Sequence, residues 1–68
     1  MKTFPLTSEY IEMNKLMKLL QLTETGGQAK IAISQGLVTV NGVIELQLRK
    51  KLRKGDKVNF DGVEVEIV

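Results

Sequence analysis

The segment Thr25–Gly42, TGGQAKIAISQGLVTVNG, holds a whole helix and the first arm and turn of a hairpin, with no residue to spare. Thr25 and Gln28 form a T-x-x-Q capping box, in which each side chain satisfies a backbone amide at a helix start. The spacing predicts a helix from about Gly26 to Gln35 that buries Ala29, Ala32 and Ile33. Gly36 follows as a left-handed stop. Val38 and Val40 alternate with Leu37 and Thr39 as a short strand. Asn41 and Gly42 both tolerate positive φ and close a tight hairpin.

On the N-terminal side, Met13, Leu16, Met17 and Leu20 recur at i, i+3, i+4 and i+7, an amphipathic helix with Lys15 and Lys18 off its apolar stripe. Leu22 to Glu24 is the connector. Residues 1–11 carry Phe4, Leu6, Tyr10 and Ile11 around Pro5, which cannot donate to a sheet ladder, so an edge strand is the most this piece forms. On the C-terminal side, Ile44, Leu46 and Leu48 continue with period two as the return arm of the hairpin. Gly55-Asp56 marks a turn. Val58 and Phe60 then lead through Asp61-Gly62 to Val63, Val65 and Ile67, with Glu64 and Glu66 on the wet face. The predicted class is α+β: two short helices packed on a small, mostly antiparallel sheet, with residues 1–68 as one domain.

Sixty-eight residues lie near the lower end of what folds without a staple. Cysteine and histidine are absent, which removes disulfides, thiolate metal sites and the usual zinc sites. No apolar run approaches the ~20 residues of a membrane span, and MKTFPLTSEY lacks the apolar stretch of a secretory signal. A soluble cytoplasmic protein without cofactor or small-molecule substrate is expected.

The formal charge of +2 conceals an uneven layout. Residues 1–48 balance to zero. The tract RKKLRKGDK, Arg49 to Lys57, holds six bases against one acid, and residues 58–68 add three acids. Such a dipolar arrangement is suited to steering a polyanion; the competing reading is a merely solvated face. On a continuous strand Leu48 and Leu52 share parity with Leu46. Arg49, Lys51 and Arg53 then form a row on the other face, spaced ~6–7 Å apart, commensurate with nucleic-acid phosphates. Lys50 shares the leucine parity, so a bend or bulge is expected near it.

The order of these motifs resembles the RNA-binding domain named after ribosomal small-subunit protein four. That family reads roughly as a Ser-Arg-x-x-Ala-Arg helix start, an Ile-x-x-Gly stop, a Val-x-Val-Asn-Gly hairpin and a later Lys-x-Gly-Asp element. Here Ala29, Lys30, Ile33, Gly36, Val38, Val40, Asn41 and Gly42 match it, as do Arg53 to Asp56 further on. Met13, Leu16 and Leu20 resemble its first-helix apolar positions, so the likeness spans about residues 12–60. The short stand-alone YbcJ/YaaA-like branch is nearest in pattern, sharing Ser/Thr-Gly-Gly/Ala-x-Ala-Lys and the basic tract before Gly-Asp. The resemblance implies an αL motif, two helices laid against a hairpin, that binds structured RNA. One departure is Gly26, where the wider family often has Arg.

The candidate RNA-binding residues fall in two groups. At the helix start are Thr25, Gly26, Gly27, Gln28 and Lys30, where outward amides and the helix dipole favour an anion. The two glycines either let a phosphate come close or permit tight helix packing. Further on are Asn41, Arg49, Lys50, Lys51, Arg53 and Lys54, in which Arg suits bidentate phosphate contacts and Lys point-charge ones. Single-stranded binders stack bases on aromatics, and none of the three aromatics lies in the tract. The expected target is therefore folded RNA, ribosomal or transfer, recognised by shape and backbone. The ribosome or its assembly factors are further expected partners, and no membrane is. Ser8 and Ser34 lack a base partner, and no Gly-rich nucleotide loop follows a strand. The chain reads as a binding module, not an enzyme. Two alternatives stand: an adaptor whose basic strand meets an acidic protein, and a targeting subunit for an RNA-modifying enzyme.

Overall fold

A computed structural model describes residues 2–68; Met1, part of the expected domain, lies outside the described residues. Helix α2, Gly26–Ser34, buries Ala29, Ala32 and Ile33 as its pattern predicts. It ends in a Schellman motif: Leu37 N–H donates to the Ala32 carbonyl and Gly36 N–H to that of Ile33, each at 3.1 Å. Gly36 adopts φ +75°, which its missing Cβ makes inexpensive. Helix α1, Met13–Leu19, buries Met13, Leu16 and Met17. Its end uses the same motif, with Leu22 N–H donating to the Met17 carbonyl and Gln21 N–H to that of Lys18. Here a glutamine occupies the left-handed position, at φ +57°.

The helices cover one face of a five-stranded sheet of order β1-β7-β6-β3-β4. Its strands are β1 (Lys2–Phe4), β3 (Val38–Val40), β4 (Val43–Ile44), β6 (Lys57–Phe60) and β7 (Val63–Ile67). The β1–β7 pairing is parallel and the others antiparallel. Strand β1 is an edge strand that stops just before Pro5, as a residue without an N–H requires. Val40, Val58 and Val65 are paired across β3, β6 and β7 and face the helices. A second, two-stranded sheet joins β2 (Ile11–Glu12) to β5 (Lys51–Leu52). The architecture is α+β, as expected.

The core is aliphatic and sulfur-containing. Leu16, Met13, Met17, Leu52 and Ile67 are fully buried, whereas Phe4 and Phe60 only pack against its rim. The return arm of the first hairpin departs from its alternation. Strand β4 ends at Ile44, which is 59% exposed, and Leu46 beyond it is 62% exposed. The chain turns instead, through Gln47 to Lys50, with Lys50 N–H donating to the Gln47 carbonyl. That turn lets the Leu48 and Lys50 carbonyls reach helix α1, an interaction that periodicity does not encode.

Gln21 carries a penalty that glycine avoids, since left-handed φ costs an L-residue ~1–2 kcal/mol. Part of that gain returns as extra freedom of the unfolded chain. Gln21→Gly is expected to stabilise the protein by about 0.5 kcal/mol and raise its melting temperature by about 2–4 °C, as thermal unfolding followed by circular dichroism would show.

Candidate nucleic-acid interface

Leu52 anchors the basic tract. It is fully buried and pairs with Ile11, so its neighbours Lys51 and Arg53 point away from the core. Upstream, Met13 N–H donates to the Lys50 carbonyl at 2.9 Å and Asn14 N–H to the Leu48 carbonyl at 3.2 Å. Helix α1 has no side-chain cap, and these carbonyls take its place. The expected row of Arg49, Lys51 and Arg53 on one continuous strand is thereby corrected. Only Lys51–Leu52 is strand, Arg49 sits exposed on the turn, and Lys50 is half-buried where the bend was expected. Lys54 is exposed beside Gly55. Lys57, the last base of the tract, starts β6 opposite Glu66, pointing away from the buried Val58 beside it.

Pairing Ile11 with Leu52 also sets Tyr10 across from Arg53. The Lys51 ammonium lies 4.9 Å from the centre of the Tyr10 ring and the Arg53 guanidinium carbon 5.9 Å from it. Both distances are within cation–π range. The tract therefore does have an aromatic, supplied from far away in the chain. Tyr10 and Glu12 flanking an inward Ile11 was a usable strand signal, but nothing local names residue 52 as its partner.

Asn41, Lys50, Lys51 and Arg53 line one cleft with Val40, Val43, Glu45 and Asp56. Asn41 is heavily engaged within the fold. Its Nδ2 donates to Asp56 Oδ1 at 3.1 Å, and its Oδ1 accepts from Lys57 N–H at 3.0 Å. Asp56 Oδ2 in turn accepts from Arg53 N–H at 2.8 Å. This chain of bonds fixes the backbone that carries Arg53.

The second group lies at the start of α2. Thr25 Oγ1 accepts from Gln28 N–H at 3.2 Å, and Gln28 Oε1 accepts from Glu24 N–H at 2.9 Å. The capping box thus reaches one residue further back than the expected Thr25 amide. A Cβ on Gly26 would meet nothing within 4 Å, and one on Gly27 only Thr25 Oγ1 at 3.7 Å. Tight helix packing therefore does not require these glycines. Lys30 is exposed one turn on. Chain order places this corner beyond the C-terminal end of α1, whereas the tract caps the N-terminal end, and no side-chain hydrogen bond joins the two among the described residues.

Among the described residues no group of three His, Cys, Asp or Glu side chains could hold a metal ion. No described helix is long and apolar enough to cross a membrane. The S4 domain family model matches residues 4–68. The chain belongs to that family. It is 42% identical to YbcJ of Escherichia coli (strain K12), named as a candidate RNA-binding protein, and to YbcJ of Shigella flexneri, named as uncharacterised. Each alignment covers 100% of this chain and 99% of the relative. The solution structure of E. coli YbcJ superposes with a TM-score of 0.76, covering 100% of this chain and 87% of that one. That structure is described as revealing an αL motif involved in RNA binding.

Asn41→Gly keeps the left-handed backbone and deletes the side-chain bonds to Asp56 and Lys57. A loss of about 1–2 kcal/mol is expected in urea unfolding, from two partly exposed hydrogen bonds.

Proposed function

We propose that this protein is a non-catalytic RNA-binding module that holds folded RNA by its phosphate backbone. The supporting observation is the group of exposed cations Arg49, Lys51, Arg53 and Lys54, fixed on a turn and strand that the buried Leu52 anchors. None of the four forms an ion pair among the described residues. Membership of the S4 domain family and the likeness to YbcJ support the same reading. Ribosomal or transfer RNA, met during ribosome assembly or translation, is the proposed target class. Within the cytoplasm, the 68 residues would act as one binding domain. The amides of Gly26 and Gly27, framed by the capping pair Thr25 and Gln28 and joined by Lys30, form a proposed second phosphate contact. They stand in for the arginine that the wider family often has there.

Neutralising about three to five phosphates makes log K fall with log salt at a slope of roughly −2 to −4. Titrating ribosomal and transfer RNA hairpins at several salt concentrations measures it. No binding at low salt would leave the acidic-protein adaptor as the better reading. Arg49→Ala, Lys51→Ala and Arg53→Ala combined should remove most binding while costing only about 1–2 kcal/mol of stability, from lost cation–π contacts. Val40→Ala is the converse control. It costs ~1–3 kcal/mol through a core cavity but keeps affinity in the folded fraction.

Gly27→Glu tests the helix corner. The site has room for a side chain, and an acid on the first turn favours folding by ~0.3–1 kcal/mol. Binding should fall several-fold while the melting temperature holds or rises, and Lys30→Ala should weaken binding in the same direction. Full-strength binding by a folded Gly27→Glu variant would confine contact to the 49–54 tract.

A further inference from the structure

Tyr10 is the one residue at the tract whose chemistry the phosphate reading does not use. It immediately precedes β2, and its loop is pinned by Ser8 Oγ donating to the Tyr10 carbonyl at 2.8 Å. The pairing of Ile11 with Leu52 sends the Tyr10, Lys51 and Arg53 side chains to the same outer surface. Two cations approach the ring, yet it remains 37% exposed. An open groove of about 550 Å³ also borders the ring, lined by Ser8, Glu9, Tyr10, Ile11, Glu12 and Lys15. Neither Lys51 nor Arg53 is among those lining residues.

The cations over the ring and the groove beside it thus differ in charge, with Glu12 of the groove standing across from Lys51 in the ladder. Lys51 and Arg53 attract a phosphate. Glu9 and Glu12 repel one, and Lys15 is held in an ion pair with Glu12 at 3.5 Å. The groove therefore admits an uncharged planar group attached to an anion that stays with the cations. A nucleotide is that object: a neutral base joined through its sugar to a phosphate. A paired base inside a helix cannot present its face to a tyrosine, so the base must be unpaired.

We propose that Tyr10 is a stacking platform for one unpaired nucleobase bordering a folded RNA, with Lys51 and Arg53 holding the adjoining phosphate. This rests on the RNA-binding reading and adds a preference to it: helices with a bulged or dangling nucleotide are bound better than fully paired ones. Stacking on an aromatic contributes ~1–3 kcal/mol per base. Partial exposure of the ring puts this site at the lower half of that range, a preference of about five- to thirtyfold.

Four labelled RNA hairpins, each closed by a non-nucleotide linker so that the loop offers no base, decide it: one fully paired with a blunt end, and three carrying a single unpaired adenosine at the 3′ end, at the 5′ end or as a bulge. Affinity is read by anisotropy at low salt. Tyr10 is the only tyrosine and the chain has no tryptophan, so its emission reports stacking directly. At least one unpaired form should bind about five- to thirtyfold tighter than the blunt hairpin and quench Tyr10 emission more strongly. Tyr10→Leu, with folding checked by melting, should bind all four with the affinity the wild type has for the blunt hairpin. Tyr10→Phe should keep the preference, a folded Tyr10→Leu that also keeps it overturns the platform, and the wild-type quenching tests stacking without relying on Tyr10→Leu folding. Equal affinity for all four, with no added quenching, overturns the platform and leaves RNA binding standing. No binding to any hairpin at low salt overturns both.

Discussion

Helix α1 begins without a side chain to cap it, so its first amides must find acceptors elsewhere. The carbonyls of Leu48 and Lys50 supply them. Those two backbone bonds constrain the whole basic tract. They require the chain to turn at Gln47–Lys50, which ends the first hairpin at Ile44 and lifts Arg49 onto a corner. They hold the next residues beside β2, so Leu52 enters the core opposite Ile11, and Lys51 and Arg53 emerge beside Tyr10. A cap on a helix has thereby shaped the basic surface. Burying Leu52 contributes ~1.5–3 kcal/mol, and it makes the placement of two cations part of folding.

What the chain reveals locally, and what it hides, divides along sequence separation. Helix α2, its Gly36 stop and the Asn41-Gly42 turn depend on residues within one or two turns of each other, and each was legible from spacing. The β2–β5 ladder joins residue 11 to residue 52 and has two residues on each side, too short for a periodic signal. Leu46 alternates with its neighbours as a buried strand residue should, yet lies largely exposed, because pattern records which residues share a face but not whether anything covers it. Tyr10 was invisible as part of the site for the same reason. Its ring stands alone in the N-terminal segment until the ladder brings the cations to it. Asn41 was legible as a turn former, whereas its bonds to Asp56 and Lys57 depend on a contact between two hairpins.

The charges obey the same logic of faces. Val58 and Val65 turn inward from β6 and β7, so Lys57, Glu64 and Glu66 are driven to the far side of the sheet, where Lys57 stands across from Glu66. Leu52 turns inward from the tract, so Lys51 and Arg53 are driven outward from the small sheet. Alternation around a shared core thus sorts a chain of formal charge +2 into one surface where Lys51 and Arg53 outnumber the single acid Glu12 across from them, and another where Lys57 is outnumbered by Glu64 and Glu66. In the proposed complex a polyanion would meet the first and be deterred from the second, which would orient its approach before any contact forms.

The only ion pair among the described residues joins Glu12 to Lys15 and includes no tract cation, although Glu12 stands across from Lys51 in the β2–β5 ladder. That absence bears on how an anion would bind. An ion pair at the tract would have to break before a phosphate could replace its carboxylate, and much of the Coulomb gain would cancel. Lys51 and Arg53 instead rest against the face of a tyrosine, whose weak attraction of ~0.5–1 kcal/mol at exposed sites limits their wandering without neutralising them. No ion pair among the described residues offsets their charge, and part of the ordering that binding demands has already occurred. In the proposed complex a phosphate arriving there would meet cations that are positioned and unpaired, and the binding energy would come mainly from released counterions.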